Sequence, residues 1–411
     1  MTQTVNSSRL FNASCFALIT TAFSFSIRAG ILSQLGTEFN LTASQLGFIN
    51  SMAFLGMPLS MVVGGLVYHT VGPKIIMQIA FVCHAIGIIM TIYAGGYAGL
   101  LISTFFIGIG NGCTEAACNP MIADSYSGLQ MGKMLNRFHM WFPGGIVVGS
   151  ILSEFMTGAG FGWQAQIWVL MIPTIIYAFL FYGQAFPKPH IDGVRSLGEN
   201  FKAMFSPLFL FIFFCMAFTA ISEFGPQQWT GMIMSKSGAK PMLILALVTG
   251  LMAVTRFFAA PIIKVVGPTG ILWGSSILAA IGIYLFSTVT GPAAYAAAVV
   301  FAMGVALFWP TMIGFVAQYI PLSGALGMSV VGGVGMLSTA IFQPFIGGWI
   351  DDAKAEKLAA GLTGDEMELA AGQATLQTMV LFPGILIIAF GILYFWMRGR
   401  KAENAAAIAS H

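Results

Sequence analysis

The sequence predicts an all-α membrane protein of twelve transmembrane helices in two pseudo-symmetric six-helix bundles. Three observations predict it. Apolar stretches of about 20 residues, long enough to cross a hydrocarbon core, follow one another with short breaks along nearly the whole chain. Only 8% of the 411 residues are charged and 57% are hydrophobic, and the mean hydropathy is +0.87, more than a soluble core needs. Short segments also recur between the two halves at a nearly constant offset.

In chain order, crossings are expected at roughly 11–35, 45–69, 74–94, 96–124, 134–158 and 164–186. The first contains Arg28 and has no basic segment before it beyond Arg9, so it reads as a membrane helix and not as a cleaved signal. Pro187 to Ser206 is polar, with Lys188, His190, Asp192, Arg195, Glu199 and Lys202. It reads as a linker, 187–206, between a first bundle over 1–186 and a second over 207–411. The second set of crossings is expected at roughly 207–234, 241–265, 269–291, 293–319, 324–350 and 375–397. Between the last two, Asp351, Asp352, Glu356, Asp365, Glu366 and Glu368 predict a solvated acidic loop with a short helix, not a site.

The repeat is visible in three places. Val71-Gly72-Pro73 recurs as Val266-Gly267-Pro268, Arg28 corresponds to Glu223, and Pro120 corresponds to Pro310. Each pair joins helix n to helix n + 6, the pattern of parallel six-helix repeats. Loop charge sets the expected orientation. Arg9, Lys74, Lys133, Arg137, Lys188, Arg195, Lys202, Lys264, Arg398, Arg400 and Lys401 fall on one side, against Lys236, Lys240, Lys354 and Lys357 on the other. Both termini and the linker are therefore expected in the cytoplasm, with the chain in a bacterial inner membrane.

Composition excludes several classes. A net charge of +3 argues against a nucleic-acid partner. Cys15, Cys83, Cys113, Cys118 and Cys215 lie in apolar segments without a metal-type Cys-x-x-Cys pair, so they read as buried small hydrophobes. No metal or cofactor site is expected, and no metalloprotease, P-loop or nucleophile-elbow motif points to an enzyme. Gly108, Gly110 and Gly112 mimic part of a dinucleotide fingerprint, but no strand precedes them, so close helix contact is the expected reason.

Several motifs carry a family resemblance. The segment Gly108-Ile-Gly-Asn-Gly-Cys-Thr-Glu115-Ala-Ala-Cys-Asn119-Pro120 resembles the fourth helix of the fucose permease-like sugar:proton symporters of the major facilitator superfamily. Leu135-Asn136-Arg137-Phe138-His139 with Gly144-Gly145 resembles their fifth helix, although His139 replaces their Gln. Ser222-Glu223-Phe-Gly225-Pro-Gln227-Gln228-Trp229 is similar to their seventh, and Phe308-Trp309-Pro310-Thr311 to their tenth. The first helix departs, with Arg28-Ala29-Gly30 where those carriers have an acid. Arg28 followed by Asn40-Leu41-Thr42 and Gln45-Leu46-Gly47 is instead similar to the organic anion:cation symporters, which also carry a fourth-helix Glu. The resemblance implies a monomeric secondary transporter whose partners are a small polar substrate, a coupling ion (the proton) and membrane lipid.

Charged groups at membrane depth are costly and mark pathways or internal pairs. Glu115 and Glu223 are the expected proton-coupling residues, and the alternative for each is an ion pair that locks helices. Arg28 carries a planar fork that suits a carboxylate, or sugar hydroxyls less strongly, and its alternative is a permanent pair with Glu115 or Glu223. Asn119, Asn136 and His139 are expected to gather near Glu115, while Gln227, Gln228, Trp229 and Trp309 supply amides and aromatic faces for a substrate. The ordinary readings are packing or interfacial roles for the Trp residues and a hydrogen-bonded core role for each buried His, His84 included. Glu154 reads as solvated and Arg256 as structural or snorkelling. The expected function is proton-coupled uptake of a sugar or sugar derivative by alternating access; the alternatives are an organic anion (carboxylate or sugar acid) symporter or exchanger, and a receptor or scaffold that transports nothing.

Overall fold

The structure, a computed structural model, describes residues 5–126, 128–187 and 197–398. The helix α1 (Ser7–Glu38) starts at Asn6, whose side chain accepts from the Arg9 N–H. The helix α2 (Ala43–Ile92) opens with a reciprocal cap: Thr42 accepts from the Gln45 N–H, and the Gln45 side chain accepts from the Thr42 N–H. It holds two crossings, because the chain turns at Gly72, where φ is 76°. That left-handed value suits glycine, and Pro73 opens the next helix. Gly267 repeats the turn at φ 75°, so the predicted repeat is present in the backbone itself.

Then follow α3 (Tyr97–Ser125), α4 (Gly128–His139), α5 (Trp141–Gly158), α6 (Trp163–Val169) and α7 (Met171–Phe181). Between the halves, α8 (Leu197–Met204) lies inside the polar linker, of which residues 188–196 are outside those described. The second half holds α9 (Pro207–Ile233), α10 (Pro241–Phe257), α11 (Ala259–Val266), α12 (Pro268–Phe286), α13 (Ala293–Val305), α14 (Phe308–Tyr319), α15 (Gly324–Ala359), α16 (Gly364–Met379) and α17 (Leu381–Met397). Five crossings are interrupted, at Met140, Leu170, Phe258, Leu307 and Val380. Each interruption lies three residues before a proline: Pro143, Pro173, Pro261, Pro310 and Pro383. A proline ring removes one backbone donor and crowds the preceding turn, which breaks the helix there.

Nine helical stretches among the described residues are long and apolar enough to cross a membrane. The turn at Gly72 makes Ala43–Ile92 two crossings, and α5 and α10 supply the remaining two of twelve. Arg9 donates to the carbonyls of Phe179 and Leu180, so α1 begins beside the end of α7. We call this the Arg9 face, and the opposite one the Thr42 face.

The acidic stretch differs from expectation. Only 360–363 separate α15 from α16, so the acids sit on two helix ends. Asp365 pairs with Lys236 at 2.7 Å, and Asp351 accepts from the backbone N–H groups of Ala43 and Ser44 at 2.9 and 2.8 Å. Asp351 thus caps α2 from the other half of the molecule, where the dipole of a helix start favours an anion.

The halves meet along α1 with α9, α2 with α15, and α5 with α10. Small residues permit the approach. A Cβ on Gly231 would strike the Ala29 carbonyl, and one on Gly47 or Gly347 would strike the backbone of Gln343 or Ala43. Among the described residues, three hydrogen bonds join the halves, from Arg28 to Gln228 and from Ala43 and Ser44 to Asp351. All lie at or beyond the level of Arg28, so the molecule is latched shut at the Thr42 face.

Candidate functional site

Arg28 is 5% exposed where the halves meet. Its Nε donates to Asn50 Oδ1 at 2.9 Å, and its Nη2 to Gln228 Oε1 at 3.1 Å. The guanidinium also lies over the rings of Phe25 and Phe54, 5.3 and 5.9 Å from their centroids. The alternative reading of Arg28, a permanent pair with Glu115 or Glu223, is not formed: the partners are two neutral amides, which leave the Arg28 charge without a carboxylate among the described residues. Beside it, Asn50 Nδ2 is buried with no hydrogen-bond partner. Neither amide atom of buried Gln343, whose backbone lies against Gly47 one turn before Asn50, has a partner either.

One turn nearer the Arg9 face, the same three helices each present a phenylalanine. Phe25 precedes Arg28 by three residues, Phe54 follows Asn50 by four, and Phe224 precedes Gln228 by four. The steps converge because α2 starts at the face toward which α1 and α9 run. Ring centroids are 5.1 Å apart for Phe25 and Phe54 and 5.6 Å for Phe54 and Phe224. Phe142 and Trp309 extend the layer, 5.7 Å from Phe25 and 6.3 Å from Phe224. A polar layer therefore sits on an aromatic one, and both halves build each.

Glu115 lies deeper toward the Arg9 face. Thr104 of α3 lines a small cavity beside Arg28; Glu115, eleven residues on, is about 16 Å further by helical rise. Glu115 and Asn119 are half-buried. Asn119 Nδ2 donates to Glu115 Oε2 at 2.7 Å and to its backbone carbonyl at 3.1 Å. The rest of the expected gathering is not formed among the described side chains. His139 is exposed at the end of α4, and the side chain of Asn136 lies outside those described.

Glu223 is 4% exposed, and its Oε1 lies 3.6 Å from Arg256 Nη2. Arg256 also donates from Nε to the Ala306 carbonyl at 2.8 Å. Arg256, read from the sequence as structural or snorkelling, is the counter-charge of Glu223, which is the ion-pair alternative held open for that acid. Gln227 points to Met252 Sδ at 3.5 Å, in a cavity of the second half. This cavity and the one beside Arg28 are pseudo-symmetric. Ile49 and Ile244, Thr91 and Phe286, and Leu35 and Thr230 line them at a constant separation of 195 residues. Trp229 is fully buried in the core with its indole N–H unpartnered, and Trp309 is half-buried against Phe224. His84 is hydrogen-bonded on both nitrogens, to Tyr177 and Asn111 at 3.0 Å each, and Asn111 donates onward to Ser24. That is a satisfied core histidine.

Sequence reasoning missed Asn50, the three phenylalanines and Asp351. A lone amide in an apolar run is the signal that points to Asn50. Phenylalanine is too common in membrane helices to have pointed to the aromatic layer.

A family model described as Major Facilitator Superfamily matches residues 14–343. A Bacillus subtilis (strain 168) protein named as a niacin/nicotinamide transporter, NiaP, is 22% identical over 247 residues, covering 57% of this chain and 60% of that protein. The hexuronate transporter of the same organism is 26% identical over 153 residues, covering 37% and 36%. The matches thus span 60% and 36% of the length of these two relatives. The crystal structure of a point mutant of a nucleoside transporter, NupG, superposes with a TM-score of 0.78 at 12% identity, covering 94% of this chain and 99% of that one. At that identity the likeness concerns the fold.

Proposed function

The chain belongs to the Major Facilitator Superfamily, and we propose that it is a secondary transporter of a small organic anion, working by alternating access. The observation that carries this reading is Arg28: a buried guanidinium between both halves, held by amides and ring faces, with no carboxylate beside it among the described residues. Burying an ion is costly unless it is paired and hydrogen-bonded. Amide oxygens and π faces offset part of that cost, and a substrate carboxylate supplies the rest. Among the described residues, Nη1 of Arg28 and Nδ2 of Asn50 make no hydrogen bond, so they remain available as donors to such a group. The relative named for hexuronate transport agrees with an anionic substrate, and the one named for niacin/nicotinamide pairs an acid with its neutral amide.

A neutral sugar is the weaker reading. Gln228 is engaged by Arg28, Gln227 turns into the second half, and Trp229 is buried in the core. Proton coupling is assigned to Glu115, which is half-buried on the Arg9 side of the aromatic layer, with Glu223 as a second titrating group. The excess of Lys and Arg around the Arg9 face supports a cytoplasmic location for it. The chain then rests closed to the outside.

The test is ligand binding to purified protein, wild type against Arg28→Gln. Loss of a charge-assisted contact of roughly 1.5–3 kcal/mol weakens carboxylate binding about 10- to 150-fold, with neutral analogues unaffected. Arg28→Lys recovers part of the loss, since it keeps the charge without the fork. Equal carboxylate affinity in wild type and Arg28→Gln refutes the assignment.

A further inference from the structure

Resting on the assignment of an anion to Arg28, we infer that the substrate is an aromatic carboxylate, its acid group on Arg28 and Asn50 and its ring in the layer of Phe25, Phe54 and Phe224. The polar and aromatic layers are three or four residues apart on each of three helices, about 4.5–6 Å of rise. An acid group joined to a ring directly, or through one carbon, spans that step. Nothing else at the level below Arg28 offers so uniform a chemistry: α1, α2 and α9 each present a phenylalanine, and Met57 and Met336 pack beneath them. Rings and thioethers favour a planar π-system through edge contacts and adaptable packing.

The polar groups nearby point the same way. Five hydroxyls near the layer are spent on backbone carbonyls, four within their own helix and that of Ser338 on α9 as well. Ser24 donates to the Thr21 carbonyl, Ser26 to Ala22, Thr219 to Met216, Ser222 to Phe218, and Ser338 to Ala217. A polyhydroxylated acid with its carboxylate on Arg28 would bury its remaining hydroxyls among rings without partners, which is unfavourable. An aromatic acid leaves no such group. Phe25, Phe54 and Phe224 are buried against one another with the Thr42 face closed, so a substrate ring enters by parting them, and because both halves build the layer it then contacts α1, α2 and α9 together.

The experiment titrates the purified full-length protein with benzoate, phenylacetate, glucuronate, propionate and benzyl alcohol, reading thermal stabilisation and affinity. A bound ligand stabilises by mass action. Benzoate or phenylacetate is expected to bind at least about tenfold more tightly than glucuronate or propionate, as several ring contacts worth about 2- to 12-fold each would give. Phe54→Leu and Phe224→Leu should each lose about 2- to 12-fold more affinity for the aromatic acid than for propionate. The wild-type series stands alone if either variant folds poorly. Glucuronate binding as tightly as the aromatic acids overturns the aromatic inference while the anion reading survives, and failure of both aromatic acids to bind overturns it too. If benzyl alcohol binds as well as benzoate, with Arg28→Gln indifferent to both, the anion reading falls with it.

Discussion

Glu223 and Arg256 stand 3.6 Å apart, and they are not equivalent. The Glu223 side chain is 5% exposed, whereas that of Arg256 is 29% exposed and keeps a second partner in the Ala306 carbonyl. Removing the arginine leaves a carboxylate buried without its counter-charge; removing the acid leaves an arginine that still reaches water. Arg256→Gln is therefore expected to destabilise by a few kcal/mol, clearly more than Glu223→Gln, and the double substitution to recover much of the loss. Thermal unfolding in detergent measures this, and a larger cost for Glu223→Gln would contradict it. The sequence marked Arg28, Glu115 and Glu223 because charge is rare in an apolar chain. It could not mark their partners. Asn50 lies 22 residues from Arg28 and Gln228 lies 200 away, and no local pattern reports which helix faces meet.

At the scale of elements, the latch between α15 and α2 decides which face is closed. Asp351 satisfies two of the unpaired N–H groups that every helix start carries, and it does so across the moving boundary. Asp351→Ala removes two charge-assisted bonds made only in the closed state. The ratio of open to closed molecules at the Thr42 face should rise by about 10-fold or more for each bond worth about 1.5–3 kcal/mol. Distances between spin labels at Gln45 and Lys354 report it, and an unchanged distribution would refute the latch. The crossings themselves were legible, because hydrophobic length is local information. So were the turns at Gly72 and Gly267, which glycine followed by proline announces. The acidic stretch was misread, because a helix that runs past the membrane to Ala359 has no apolar signal to mark it, and the role of Asp351 depends on a helix start more than 300 residues earlier.

For the whole molecule, the two halves repeat one plan and differ at its centre. The constant 195-residue relation between the linings of the two cavities shows the common plan. Arg28 and its counterpart Glu223 show the divergence: Glu223 is paired with Arg256, whereas Arg28 meets only the amides of Asn50 and Gln228 and keeps a charge with no carboxylate beside it among the described residues. On the proposed reading, a carrier built this way would bind an anion at the boundary and rock about it, and Glu115, on the Arg9 side of the aromatic layer, would carry the proton. The most direct test is uptake into proteoliposomes of the carboxylate that stabilises the purified protein most. The account predicts accumulation above the equilibrium level when the exterior is acidic, collapse of that accumulation by a protonophore, and loss of it in Glu115→Gln with counterflow exchange retained. Uptake no faster than in protein-free vesicles, or accumulation in Glu115→Gln equal to wild type, would contradict it.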